Sequence, residues 1–212
     1  MSINRGYIFN KVSFLLKKEM KFFTSSDVQM TIGVDSFRRI AEDIEYPKSN
    51  YSGTVNSGLW TVPMPADFIK VDRAKDIVFA DSTGIRKIRP QDQRNIGRDQ
   101  VLSATPGSPE NYFMEDQVTI GLYPPSTSGI IIVPYVSLPT SLSGDADANE
   151  LTERCYMASV YWTVAECMLK DSDEKYAIYM TKYDKEIQRL RSNYGDMFDE
   201  NKDFQPDQGY LQ

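Results

Sequence analysis

Three regions with different spacings of apolar positions divide the chain. In residues 1–46, Ile8, Val12, Leu15 and Leu16 recur at helical spacing and predict a short first helix. Ser26-Asp27-Val28-Gln29 then has the form of a capping box, with Ser26 accepting a backbone N–H and Gln29 reaching back. The helix it opens carries Phe37, Ile40 and Ile44 on one face and ends at Pro47, with Gly33 as a point of interruption.

From Tyr51 to Pro139 the pattern becomes strand-like. The predicted strands are Gly58–Val62, Ile69–Ala80, Ile85–Arg89, Tyr112–Glu115, Gln117–Tyr123 and Gly129–Val136, separated by Gly, Pro, Asn and Asp clusters. Residues Ala80 to Gly84 suit a hairpin loop. The polar stretch Gln91–Pro109 reads as a connecting loop long enough to suggest function. The last strand contains Pro134, which cannot donate to a hydrogen-bond ladder. That predicts an edge strand, open to pairing with another chain.

Helical spacing returns after Gly144. Asp147-Ala148-Asn149-Glu150 reads as a second capping box, ahead of a stripe formed by Leu151, Cys155, Ala158, Trp162, Ala165 and Leu169. Asp171 to Glu174 would cap a further helix, of about 33 Å, with Tyr176, Tyr179, Tyr183, Ile187, Leu190 and Tyr194 on one side and its end at Gly195. The tight acidic turn between the two predicts an antiparallel pair. The fold class expected is therefore α+β. N-terminal helices come first, then a small antiparallel β-sheet domain inserted before a long antiparallel helical hairpin, then an extended acidic C-terminal tail. Residues 1–194 would form a single domain, with helices in 1–46 and 147–194 and a β-rich region at 51–139. Residues 195–212 would form the tail.

Composition refines this picture. A chain of 212 residues can bury a core without a metal or disulfide staple. Thirteen tyrosines against two tryptophans suit surfaces buried at one end and wet at the other, either at an interface or at the edge of a core. The net charge is −6, and the stretch from Gly195 to Gln212 holds Asp196, Asp199, Glu200, Asp203 and Asp207 against Lys202 alone. This balance argues against gripping a phosphate backbone, yet suits DNA passing nearby without sticking. Cys155 and Cys167 fall about 18 Å apart along one predicted helix, beyond disulfide reach, and read as core residues in a reducing compartment. No signal segment is expected, and the longest clean apolar run, Ile130–Val133, is too short to span a membrane.

Candidates for chemistry are few. The chain has no histidine, which removes Ser-His-Asp and Cys-His arrangements and the commonest metal ligand. It has no glycine-rich phosphate loop. Glu150 with Glu153, or Glu166, could serve a carboxylate-dependent hydrolase acting on a cell-wall polymer, but at this spacing they also read as a solvated helix face. Asp145, Asp147 and Glu150 lack the calcium-loop pattern and read as charge at a helix N-terminus. Arg86, Lys87 and Arg89 on one strand, with Arg94 and Arg98 in the long loop, could meet a phosphate or an acidic partner, or simply discourage aggregation. Phe68, Phe79, Phe113 and Tyr123 could stack bases in a single-stranded nucleic-acid-binding protein, or pack in an ordinary core. No cofactor or metal is expected.

Several of these pieces, in this order, resemble the head-to-tail adaptor (connector) proteins of short-tailed bacteriophages, from about Phe22 to Phe198. FFTSSDVQMTIGVDSFRRIAEDIEYP looks like the family's early helix leading to a proline. LWTVPMPADFIKVDRAKDIVF looks like its strand beginning at Pro65, Ala66, Asp67 and Phe68. SPENYFMEDQVTIGLYPPST is similar to its tyrosine strand and the turn at Leu122 to Pro125, and IIIVPYVSLP to the strand carrying Val133, Tyr135 and Pro139. Where family members often carry Asn-x-Ala or Asn-x-Gly in the second helix, this chain has Gly33-Val34-Asp35. Nothing beyond Gly195 matches a family pattern.

The resemblance implies a virion protein of the phage neck, made in the host cytoplasm and without chemistry of its own. Its partners would be its own copies in a ring, expected as a dodecamer, the portal protein, a tail tube or nozzle protein, and transiently the passing DNA, with no membrane and no small-molecule substrate. The contact regions expected are the Gln91–Pro109 loop, the Ile130–Val136 strand and the Phe198–Gln212 tail. The individual candidates are Arg94, Arg98, Ile130, Ile132, Tyr135, Phe198, Phe204 and Tyr210.

Overall fold

The computed structural model describes residues 3–16, 24–72, 74–92, 105–170 and 174–199, with 194–199 as backbone only. The architecture is mixed α+β, as the apolar spacing predicts. The chain divides into two compact units, one made of Met1–Ile44 and Pro139–Gln212, the other of Glu45–Leu138.

In the first unit, α1 (Arg5–Leu16) buries Ile8 and Val12. Then come α2 (Ser25–Met30), a π-helical segment (Thr31–Ser36) and α3 (Phe37–Ile44), which buries Phe37, Ile40 and Ile44 on the expected face. The cap of α2 lies two residues earlier than the sequence pattern suggested. Thr24 Oγ1 accepts from the Asp27 backbone N–H at 3.2 Å, and Asp27 Oδ2 accepts from the Thr24 N–H at 2.8 Å. The Thr24 N–H, followed by the Thr24 hydroxyl donating to the same oxygen at 2.7 Å, holds the Asp27 carboxyl below the usual carboxylate range.

Gly33 widens the helix rather than ending it. Its carbonyl accepts from the Leu142 N–H at 2.9 Å, and a side chain there would overlap the Leu142 carbonyl oxygen. The close approach requires glycine.

Two further helices complete this unit, α4 (Thr152–Lys170) and α5 (Tyr176–Asp199). The expected box at Asp147 is replaced by one at Asn149. Asn149 Oδ1 accepts from the Leu151 N–H at 3.1 Å and from Thr152 Oγ1 at 2.8 Å, and Thr152 Oγ1 accepts from the Asn149 N–H at 2.8 Å. Asp147 instead folds the preceding loop, accepting from Gly144 N at 2.6 Å and Ser143 N at 2.9 Å, which lowers its carboxyl's pKa. Asp145 pairs with Arg5 at 2.9 Å.

Helix α4 is buried on more than the single stripe expected. Ser159, Val160, Thr163, Val164 and Cys167 are as enclosed as Leu151 and Cys155, whereas Leu169 is half exposed. Ser159 Oγ lies 2.7 Å from Ser36 Oγ. Helix α5 seats Tyr183, Ile187 and Leu190 and runs past Gly195 to Asp199. Its expected cap at Asp171 to Asp173 lies outside the described residues, as does the side chain of Tyr194. Tyr183 donates to Asp43 Oδ2 at 2.6 Å, and burial, followed by that carboxylate, pushes the phenol's pKa far above its ordinary value. Arg39 pairs with the same carboxylate at 3.1 Å, and Arg191 Nε donates to the Asp43 carbonyl at 2.6 Å.

The second unit is a single eight-stranded sheet of β1 (Lys48–Val55), β2 (Thr61–Pro63), β3 (Phe68–Val71), β4 (Ile77–Asp81), β5 (Gly84–Pro90), β6 (Asn111–Met114), β7 (Thr119–Tyr123) and β8 (Gly129–Ser137). The strand order is β1-β8-β4-β5-β6-β7-β2, with β3 also paired to β8. The β5–β6 pair is parallel and the other pairings are antiparallel. The sheet is thus larger than expected and not wholly antiparallel.

Lys48–Val55 is a strand that the apolar spacing did not predict, and Ile69–Ala80 proves to be two strands. Val55 on β1 and Val62 on β2 lie at opposite ends of the strand order, yet they share one core with Phe79, Ile120, Ile131 and Val133. The sheet therefore curls into a barrel-like form around its own apolar face.

Candidate interaction surface

Strand β8 organises this unit. It pairs along the whole of β1, from Gly129 opposite Val55 to Val136 opposite Lys48. Its other side pairs with β4 through Gly129–Ile132 and with β3 through Tyr135–Ser137. This corrects the edge-strand expectation for Gly129–Val136, and Pro134 shows why the inference failed. Pro134 sits between the β3 and β4 segments, and its carbonyl accepts from the Asp72 N–H at 2.9 Å. In an antiparallel ladder a residue's N and C=O face the same neighbour, so the missing N–H points into the notch between two strands. A central strand can hold a proline where its neighbour is interrupted.

Asp72 fills that notch. Its carboxylate is buried, accepts from the Ala74 N–H at 3.0 Å and lies 3.1 Å from Lys48 Nζ through either oxygen. Nearby, Tyr135 faces the core and donates to both Asp67 oxygens at 3.0 and 3.1 Å. Its pKa is raised, first by burial.

Register defines the outer face of the sheet. Ile85, Ala80, Ile130 and Thr54 stand side by side on β5, β4, β8 and β1, and Lys87, Val78, Ile132 and Ser52 form the next row. Cross-strand partners project to the same side. Ile85 is 80% exposed, Ile130 46% and Ile132 40%, although such residues are normally buried. Farther along β8, Pro134 and Val136 are buried. Alternation along β5 adds Arg89 to the outer face, and Lys87 pairs with Asp76 at 2.6 Å.

At the turn between β4 and β5, Asp81 accepts from the Thr83 N–H at 2.8 Å and Thr127 Oγ1 at 3.3 Å, and from the hydroxyls of Thr83 and Ser108. The bond from Ser108 is the largest of the effects that hold its carboxyl well below the usual range. One aspartate thus ties the hairpin to the loops at Ser108 and Thr127.

The other sequence candidates are dispersed. Phe68, Phe79 and Phe113 are buried and offer no stacking platform. Phe113 covers Gly121, where a side chain would collide with its ring, and stacks on Trp60 with centroids 6.5 Å apart. Tyr123 is half-buried beside them. Glu150 and Glu153 are exposed and Glu166 is half-buried, and among the described residues no group of acids and cysteines could hold a metal ion. Cys155 and Cys167 are both buried. Arg94, Arg98, Phe204 and Tyr210 lie outside the described residues, and Phe198 is described only as backbone on α5. Ile85 was missed. Its signal was the alternation of Ile85, Lys87 and Arg89 beside a hairpin turn, which places an isoleucine on the charged side of the strand.

Exposed apolar rows on a curled sheet are the kind of surface that meets another chain. The sequence model of the SU10 adaptor protein family matches residues 29–203, and the chain belongs to that family. This accords with the phage head-tail adaptor resemblance read between Phe22 and Phe198. Membership makes the chain a structural component of the virion that associates with other virion proteins. No curated protein matches it. Among the described residues no helix is long and apolar enough to cross a membrane.

Proposed function

We propose that this protein is the connector between the phage portal and the tail, with twelve copies closing into a ring around the channel through which DNA leaves. Family membership over residues 29–203 carries the proposal. A ring needs head-to-tail contacts that close, and each copy must offer two unlike surfaces. The exposed isoleucine rows are one candidate. Helices α4 and α5 would form a stiff wall as an antiparallel hairpin, the sheet unit inserted before them would carry the contacts, and the acidic segment that follows α5 would dock on a partner. The net charge of −6 suits a channel through which DNA slides without being held.

The portal and a tail tube or nozzle protein are the partners this role requires. Mixing the protein with purified portal rings and weighing the product by native mass spectrometry tests it. The expected product gains mass in steps of 24.2 kDa up to a closed complement. Portal rings that stay bare at concentrations well above those of stable assemblies would rule the connector role out.

A further inference from the structure

We infer that the outer face of β5, β4, β8 and β1 is the receptor for the acidic segment 200–212 of a neighbouring copy. The inference rests on the ring reading and gives one of its contacts a definite occupant.

The first argument is what the face lacks. Two adjacent rows present Ile85, Ile130 and Ile132 to solvent, with Val78 and Ala80 between them half-buried. Such contiguous apolar exposure marks an interaction site. The second argument is charge. In a chain of net charge −6, the outer positions of β5, β4, β8 and β1 carry Lys87, Arg89 and Lys48 and no acid, while Asp76 and Asp72 pair with Lys87 and Lys48 and Asp81 is held within the β4–β5 turn. The face thus selects an acidic, apolar occupant over the rest of an acidic surface.

The third argument is that the chain contains such a segment. Residues 200–212 hold Glu200, Asp203 and Asp207 against Lys202, together with Phe204, Tyr210 and Leu211. They follow α5, which ends at Asp199, and span about 45 Å when extended. In extended backbone, Phe204 and Tyr210 project to the same side, about 20 Å apart. Four paired strands are about 14 Å across between the outer two, so the two rings would bracket the isoleucine rows. The long arms of Lys87 and Arg89 would reach the acids at the rim.

The test uses a labelled synthetic peptide of residues 196–212 titrated with the full-length protein, read by fluorescence anisotropy. Saturable binding is expected, weakening several-fold as salt rises from about 0.05 to 0.5 M. Ile85→Asp should weaken it about tenfold or more. At 80% exposure beside a turn, this change leaves the core untouched, and an unchanged melting transition would verify that. A peptide with Phe204→Ala and Tyr210→Ala should lose binding to a similar degree. No binding to the wild-type protein would overturn the inference, including the case in which each copy's own segment fills its own face. So would affinity indifferent to both Ile85→Asp and Ile132→Asp. Portal loading by native mass spectrometry is read separately. Full loading with a silent peptide removes this contact and leaves the connector role standing, whereas peptide binding with bare portals does the reverse.

Discussion

Gly33 shows how a single position can fix the course of the chain. Its missing side chain lets the Leu142 backbone approach the widened helix, where the Leu142 N–H donates to the Gly33 carbonyl. Gly33→Ala should lower stability by about 2 kcal/mol, measurable as a shift in the urea midpoint without a change in slope. Tyr183 and Tyr135 repeat another device, a buried phenol donating to a carboxylate. Tyr183→Phe should cost about 1–2 kcal/mol, since Asp43 loses a donor. Burial raises the Tyr183 pKa above its unfolded value, so its contribution is complete below about pH 10 and falls away as pH rises beyond that. The wild type should therefore lose stability in alkali faster than Tyr183→Phe, as melting curves across that range would show. Asp27, Asp81 and Asp147 have lowered values, and their contribution is present above about pH 4 and lost on acidification. At this scale the sequence was legible in kind but not in position. Thr24 and Asn149 cap where Ser26 and Asp147 had the expected pattern, because the choice among neighbouring hydroxyls and carboxylates depends on the loops around them.

Elements with a strong apolar period were legible and those without one were not. The face of α3 and the buried row on α5 follow directly from spacing. Strand β1 was missed because its outward residues are Asn50, Ser52 and Thr54 and its buried side includes Gly53, so it offers little apolar alternation. It is a strand because β8 supplies a full-length partner, which no local pattern reveals. Pro134 misled for the converse reason. Its effect on β8 depends on the break between β3 and β4, a tertiary fact. That break is held by Asp72, so Asp72→Ala should be among the most damaging changes in the sheet unit. Removing a buried carboxylate takes away the acceptor of the Ala74 N–H and an ion-pair partner of Lys48, at a cost of about 3 kcal/mol. Chemical denaturation of the variant should show that loss, while Lys87→Ala, which breaks the exposed pair with Asp76, should change stability by less than about 1 kcal/mol.

For the whole molecule, the order of motifs was more informative than any one motif. None of the stretches at Pro65, Leu122 or Val133 is distinctive alone, yet their succession marked out nearly the same span that the family match covers. The surface rows were not legible, because Ile85 and Ile130 become neighbours only through β4. The full-length pairing of β1 with β8 has a consequence for how this polypeptide can be taken apart. Residues 48 and 136 stand opposite each other, so the two points at which the backbone crosses into and out of the 45–138 unit are adjacent. A fragment of residues 45–138 brings its own core and should melt cooperatively with a β-type circular dichroism spectrum. A module bounded in this way is a natural currency for recombination, replaceable by a foreign insert without restringing the helices on either side.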